Sequence, residues 1–143
     1  MVVIDTNLLV YAHRAMTPEH KAAQQALEAA GSRADGWGIA TTSVLEFWSV
    51  VTHPAASGRP STPAEARAFI DALVVAGARL LSPGPALGQR VMDIASRLDV
   101  VGARVFDLQI AVTALDHGAT EIWSHDRRFV MPPGLRLVDP FQS

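Results

Sequence analysis

Four acidic residues stand at positions from which backbone geometry would gather them. Asp5 directly follows the apolar run Val2-Val3-Ile4, and Glu46 lies in Thr42-Ser43-Val44-Leu45-Glu46-Phe47. Asp107 lies in Arg104-Val105-Phe106-Asp107-Leu108-Gln109, and Asp126 in Trp123-Ser124-His125-Asp126-Arg127-Arg128. Carboxylates brought together repel one another, and burial with like charge raises their pKa values unless a cation sits among them. The only lysine, Lys21, is not placed to supply that charge. A hard divalent cation would: Mg²⁺ or Mn²⁺ takes oxygen ligands, commonly one or two carboxylates completed by waters and substrate phosphates. Such a site favours phosphodiester hydrolysis, because the metal lowers the pKa of a bound water and stabilises charge on the phosphorus and the leaving oxygen. Arg104, Arg127 and Arg128 lie near the same rim, and a guanidinium matches a phosphate bidentately.

Each acid also has an ordinary structural use. Asp5 would cap the helix that follows it, as Thr6 would equally well. Ser43-Val44-Leu45-Glu46 has the form of a capping box, Asp107 suits an N-cap, and Asp126 beside two arginines suits a solvated turn. The joint occurrence favours chemistry, since four independent caps have no reason to fall at one end of one sheet. The histidines show no compact metal spacing; His53 and His117 read as helix-end or surface residues, and His125, next to Asp126, is assigned no role, a substrate contact being the lesser of its readings.

These acids depend on a parallel sheet to meet. Short apolar runs at Val2 to Ile4, Gly38 to Ala40, Arg79 to Leu81, Glu121 to Trp123 and Leu135 to Val138 read as strands buried on both faces. Five helical segments alternate with them. Thr17-Pro18 opens one that closes at Gly31, and Ser43 to His53 forms a second. The capping box Thr62-Pro63-Ala64-Glu65 opens a third that stops at Gly77, and Pro85 to Leu98 forms a fourth. Val105 to His117, apolar almost all round, is the helix expected in the core. The class is α/β, with a parallel sheet of about five short strands covered by helices. Ligands of such sheets bind outside the carboxyl ends of the strands, where Asp5, Glu46, Asp107 and Asp126 fall. Ala55 to Ser61, with Gly58 and Pro60, reads as a loop within one domain spanning 1–143.

Composition bounds the rest. The chain has 143 residues, 49% apolar and 18% charged, enough to bury on the order of 70% of its unfolded surface without staples. It has no cysteine, which removes disulfides, thiolate nucleophiles and cysteine-based metal centres. No window approaches a membrane span and no basic leader precedes the first strand, so a cytoplasmic protein without a membrane partner is expected. Lys21 has no glycine-rich loop before it, which excludes a P-loop, and no lysine occurs late in the chain as in acidic phosphatase or receiver sites.

The four motifs, in order and over essentially the whole chain, resemble the PIN domain. The segment Asp5-Thr6-Asn7-Leu8-Leu9-Val10-Tyr11-Ala12, with Asp107-Leu108-Gln109-Ile110-Ala111 and Ser124-His125-Asp126-Arg127-Arg128-Phe129, is most similar to the VapC toxins of type II toxin–antitoxin systems, in their mycobacterial-type branch. The resemblance implies a three-layer α/β/α fold and a Mg²⁺-dependent endoribonuclease, with Mn²⁺ as substitute. It also implies an RNA substrate (tRNA, rRNA or mRNA), frequent homodimers and inhibition by a VapB-type antitoxin. Carried over by motif, Asp5 and Asp107 would be the principal metal ligands, Asp126 would ligate directly or through water, and Glu46 would orient the attacking water. Thr6, Ser124 and Arg127 are the candidate supporting or substrate-contacting residues. The family's last motif often carries a small or amide residue where this chain has His125. A non-catalytic RNA-binding or scaffold module is the alternative, opposed by the intact acidic set. DNA and flap nucleases of this type resemble longer chains.

The formal charge of −2, from 14 acids and 12 bases, argues at first against a nucleic-acid partner. Setting the four clustered acids aside leaves ten acids against twelve bases, a mildly basic surface around an acidic pocket.

Overall fold

Val2–Ile4 forms the central strand of the sheet, and its register explains why the site assembles. The structure is a computed structural model that describes residues 1–142. Five parallel strands, β1 (Val2–Ile4), β2 (Trp37–Ala40), β3 (Arg79–Leu81), β4 (Glu121–Trp123) and β5 (Arg136–Val138), stand in the order β3-β2-β1-β4-β5. Val2 pairs with Trp37 on one side and Glu121 on the other, and Ile4 pairs with Trp123. The carboxyl ends of β1 and β4 are therefore level, and Asp5 and Ser124 emerge side by side.

Six helices cover the sheet: α1 (Thr6–His13), α2 (His20–Gly31), α3 (Thr41–Thr52), α4 (Pro63–Val75), α5 (Leu87–Leu98) and α6 (Val105–Asp116). Successive β1 side chains point to opposite faces. Val2 and Ile4 pack with Leu8, Leu9, Leu27, Phe47, Val51 and Ile70 of α1 to α4. Val3 packs with Ile110, Ala111 and Ala114 of α6, whose other side meets Val91 of α5 through Leu108 and Val112. This is the expected three-layer α/β/α arrangement. No helix among the described residues is long and apolar enough to cross a membrane.

Several boundaries differ from expectation for identifiable reasons. Helix α1 was hidden in the sequence because Leu8-Leu9-Val10 prolongs the apolar run of β1, separated from it by little besides Asp5. Helix α2 starts at His20: Thr17 and Pro18 form a preceding turn in which Thr17 Oγ1 donates to Arg14 O (2.8 Å) and the His20 amide to Thr17 O (3.1 Å). Helix α3 starts at Thr41, so Ser43 lies inside it, buried with its hydroxyl unpartnered, and the anticipated Ser43/Glu46 capping box does not form. Helix α5 begins at Leu87, two residues after Pro85. Burial on both faces holds for β1 and β2 but not at the edges, where Arg79 and Leu80 of β3 and Arg136 of β5 are exposed. Phe106 of α6 is also exposed (54%), so the core helix has one solvent-facing turn beside Asp107. The Thr62/Glu65 capping box forms as expected, with the Glu65 amide donating to Thr62 Oγ1 (3.1 Å) and the Thr62 amide to Glu65 Oε1 (3.3 Å).

The loop between α3 and α4 is held by a residue that sequence patterning did not single out. Buried Arg14 donates from Nη1 to Arg59 O (2.6 Å) and from Nη2 to Val51 O (2.9 Å). Its charge thereby meets the carbonyl end of α3, where the helix dipole is negative.

Candidate active site

Asp5 is both a helix cap and the most buried of the four acids. Its Oδ1 accepts from the Thr6 amide (2.7 Å), and its backbone N–H bonds to Trp123 O at the end of β4 (3.0 Å). The Oδ2 accepts from Ser124 Oγ (2.6 Å), and the Ser124 hydroxyl oxygen in turn accepts from the Asp126 amide (3.0 Å) and Asn7 Nδ2 (3.3 Å). Ser124 thus fastens the first and last acidic motifs together. Both readings of Asp5 hold at once, because the cap occupies one carboxylate oxygen and leaves the other facing the interior of the site.

Glu46, half-buried in the second turn of α3, accepts from Thr6 Oγ1 through Oε2 (3.2 Å). Asp107 lies in the first turn of α6 rather than at its N-cap, and its Oδ2 accepts from the Val130 amide (3.0 Å) and from Arg104 Nη1 (3.2 Å). The same Arg104 nitrogen donates to Asp126 Oδ2 (2.7 Å), while Asp126 Oδ1 accepts from the Arg128 amide (2.9 Å). Asp126 is therefore the turn residue that its sequence context suggested and also a wall of the site. Asp5, Glu46 and Asp126, with Thr6, Asn7 and Tyr11, line a cleft of about 320 Å³. Asp107 stands behind that wall, near enough for its charge to act on both Asp5 and Glu46.

Environment divides the acids. Burial pushes Asp5 up to about 6, against the hydrogen bonds from Ser124 and Thr6 and helped by the charges of Asp107 and Glu46. Glu46 is also raised, first by burial and further by Asp107, with the Thr6 hydroxyl opposing. For Asp126 burial acts upward but is outweighed by Arg104 and the Arg128 amide, so its carboxyl falls below the usual range.

The donors present fit a hard divalent ion. They are carboxylates under mutual repulsion, and Asn7 Oδ1, on the cleft wall, is a buried acceptor without a partner, suited to an ordered water. Among the described residues no three of these side chains are gathered tightly enough to hold an ion alone. An ion held here would need water and substrate phosphate to complete its shell.

Residues 2–133 match the PIN domain family. The chain belongs to the PIN-domain family. Its similarity to named members runs end to end: it is 33% identical to the VapC ribonuclease Mb2897 of Mycobacterium bovis and to ribonuclease VapC43 of Mycobacterium tuberculosis, covering all of this chain and 97% of each relative. Ribonuclease VapC24 of Mycobacterium tuberculosis is 31% identical, with all of this chain and 99% of the relative covered. Among solved structures, Mycobacterium tuberculosis VapC20, described as a sarcin–ricin loop cleaving toxin, superposes with a TM-score of 0.69 at 15% identity over 90% of this chain and 92% of that one. VapBC2 from Rickettsia felis, bound to a promoter DNA fragment, gives 0.67 at 16% identity, covering 96% and 98%.

In this PIN domain three of the four anticipated acids line one cleft and Asp107 stands behind it, and two of the three anticipated supporting residues touch them: Thr6 orients Glu46 and Ser124 orients Asp5. Arg127 does not join them; it is exposed and pairs with no carboxylate among the described residues. Arg104 was marked for phosphate contact, but its part in joining Asp107 to Asp126 was not foreseen. That bridge needs the three-residue 3₁₀ turn Gly102–Arg104, which sets the guanidinium over the start of α6. The i, i+3 spacing of Arg104 and Asp107 was the one available signal. Asn7 was also missed, although it stands in the first motif beside Asp5 and Thr6; Asp139 was missed too, and nothing in its local sequence marks it.

Proposed function

We propose that this PIN domain, spanning 1–143 as one unit, is a Mg²⁺-dependent endoribonuclease and the toxin of a pair neutralised by a VapB-type antitoxin. The gathering of Asp5, Glu46 and Asp126 on one cleft, with Asp107 behind its wall, carries the reading. Whole-chain similarity to proteins named VapC ribonucleases supports the RNA substrate. Structural neighbours described as toxin–antitoxin complexes, from Rickettsia felis and Klebsiella pneumoniae, support the antitoxin partner. A cytoplasmic location and a homodimer belong to the same reading.

Asp5 and Asp107 would hold the metal, with Asp126 adding a direct or water-mediated ligand. When bound, the ion supplies a water of lowered pKa and charge stabilisation at phosphorus and the leaving oxygen. The residues of the chain do the positioning. Ser124 fixes the Asp5 oxygen that faces the site, and Thr6 fixes Glu46 where it orients the attacking water. Asn7 Oδ1 accepts from an ordered water in the cleft, and Arg104 presents a guanidinium where a phosphate oxygen displaces a carboxylate. The test is cleavage of total RNA by the purified protein with Mg²⁺, with chelator, and as Asp5→Asn. Cleavage lost with chelator and in Asp5→Asn, with an unchanged circular dichroism spectrum, is expected. Equal cleavage by both proteins contradicts the proposal.

A further inference from the structure

Beside the acid cleft, three rings from three parts of the chain form a corner. Tyr11 of α1 lines the cleft itself, His125 precedes Asp126, and Phe141 follows β5. His125 and Phe141 lie with centroids 4.4 Å apart and planes tilted by 41°. Tyr11 stands edge-on to His125 at 6.3 Å and tilted to Phe141 at 6.4 Å. The histidine is fixed as well as stacked. Its Nδ1 lies 3.1 Å from both oxygens of Asp139, and Asp139 Oδ1 also accepts from the Phe141 amide (3.0 Å). A carboxylate only accepts, so Nδ1 carries a proton toward Asp139, and Nε2 is the ring nitrogen left free of that pair.

Packing accounts for the rings of Phe141 and Tyr11, which abut the larger core cluster. It does not account for His125, whose side chain is 36% exposed with no partner for Nε2 among the described residues. Tyr11 Oη also has no hydrogen-bond partner there. It lies close enough to Asp126 that, after burial and Glu19, the charge of that acid raises the phenol pKa. Tyr11 on the cleft wall and partly exposed His125 beside Asp126 thus bring two rings and two free polar tips to the edge of the cleft that would hold the scissile phosphate.

We propose that Tyr11, His125 and Phe141 form a subsite for one unpaired nucleobase next to the cleaved bond, with Asp139 as the residue that positions His125. The subsite rests on the ribonuclease reading and adds to it the source of base preference. An unpaired base stacks on aromatic faces whatever its identity. The free Nε2 then hydrogen-bonds to the edge of the base that faces it, so bases with different edge groups are held unequally. A base inside a duplex cannot reach the corner, so the nucleotide must lie in a loop or be splayed out.

The experiment digests a random-sequence RNA pool with the full-length protein and Mg²⁺ and maps the cut sites by sequencing, for wild type, His125→Ala and His125→Asn. His125→Asn keeps a donor for Asp139 and guards against loss of fold, which thermal melting checks for both variants. Wild type is expected to prefer particular bases at one position flanking the cut, and both variants to lose that preference. On a short RNA containing the preferred site, kcat/KM should fall about 10- to 100-fold in each variant. An abasic nucleotide at that position should cost wild type a similar factor and the variants almost nothing. Cleavage by wild type and variants with the same base preference and the same abasic penalty overturns the subsite and leaves the ribonuclease reading intact. A pool left uncut by wild type overturns both.

Discussion

Asp5 and Asp126 share Ser124, yet their surroundings push them in opposite directions. Asp5 is buried, held only by neutral donors and repelled by Asp107 and Glu46, and its carboxyl rises to about 6. Asp126 is at the open side, paired with Arg104 and capped by the Arg128 amide, and its carboxyl falls. The cleft therefore has an inner half that lacks a cation and an outer half that already has one. A divalent ion gains most at the inner half, beside Asp5 and Glu46, which pair with no cationic side chain among the described residues. At the outer half it must compete with a guanidinium. The same guanidinium is the group best placed to exchange its carboxylates for an RNA phosphate.

The largest effect that would break this contrast is on stability. Between about pH 4 and 6 the folded protein keeps a proton on Asp5 that the unfolded chain has released. The contribution of Asp5 is therefore fully present below the unfolded value of 3.8 and is lost as pH rises through about 6. The metal-free wild type should lose on the order of 2–3 kcal/mol relative to Asp5→Asn across that window. Urea unfolding of both proteins at pH 4 and pH 7.5 measures it, and parallel pH profiles would show that Asp5 is no more strained than Asp126. Saturating Mg²⁺ should recover the loss at pH 7.5.

Next in size is Ser124→Ala, which removes the hydrogen bond that orients Asp5. Loss of such a support residue typically costs about 10- to 100-fold in metal affinity. An unchanged affinity would mean that the α1 cap alone positions Asp5. The smallest effect is expected at the outer half. Arg104 and Asp126 are each about one-third exposed, so their pair contributes little. Arg104→Gln should tighten metal binding about 2- to 5-fold by removing the competitor, while weakening RNA binding and its salt dependence. Weaker metal binding in Arg104→Gln would instead make the arginine an organiser of the acids.

What the sequence disclosed follows the same division. Asp5, Glu46 and Asp126 were legible because parallel strands place the segments that follow them at one rim, and Asp107 because it opens the apolar helix α6; the short strands and the Thr62/Glu65 cap were clear. The inner tethers were legible in part, since Thr6 and Ser124 adjoin the acids they hold. The outer bridge and the His125–Asp139 pair were not, because each depends on how a loop folds back: Arg104 reaches across 22 residues to Asp126, and Asp139 reaches back 14 to His125. Helix α1 was obscured by hydrophobic periodicity, since an apolar run crossing a strand end looks continuous. Ser43 mimicked a cap because α3 starts earlier, directly from β2, and draws the serine into its interior.

Calorimetric titration of Mn²⁺ into the purified protein at pH 6 and pH 7.5, for wild type and Asp5→Asn, tests the inner acid half as the seat of the ion. Binding by wild type that is lost in Asp5→Asn, with proton release seen at pH 6 and reduced at pH 7.5, is the result predicted for an Asp5 carboxyl pushed up to about 6. Equal binding by both proteins, or binding without proton release at pH 6, would contradict it.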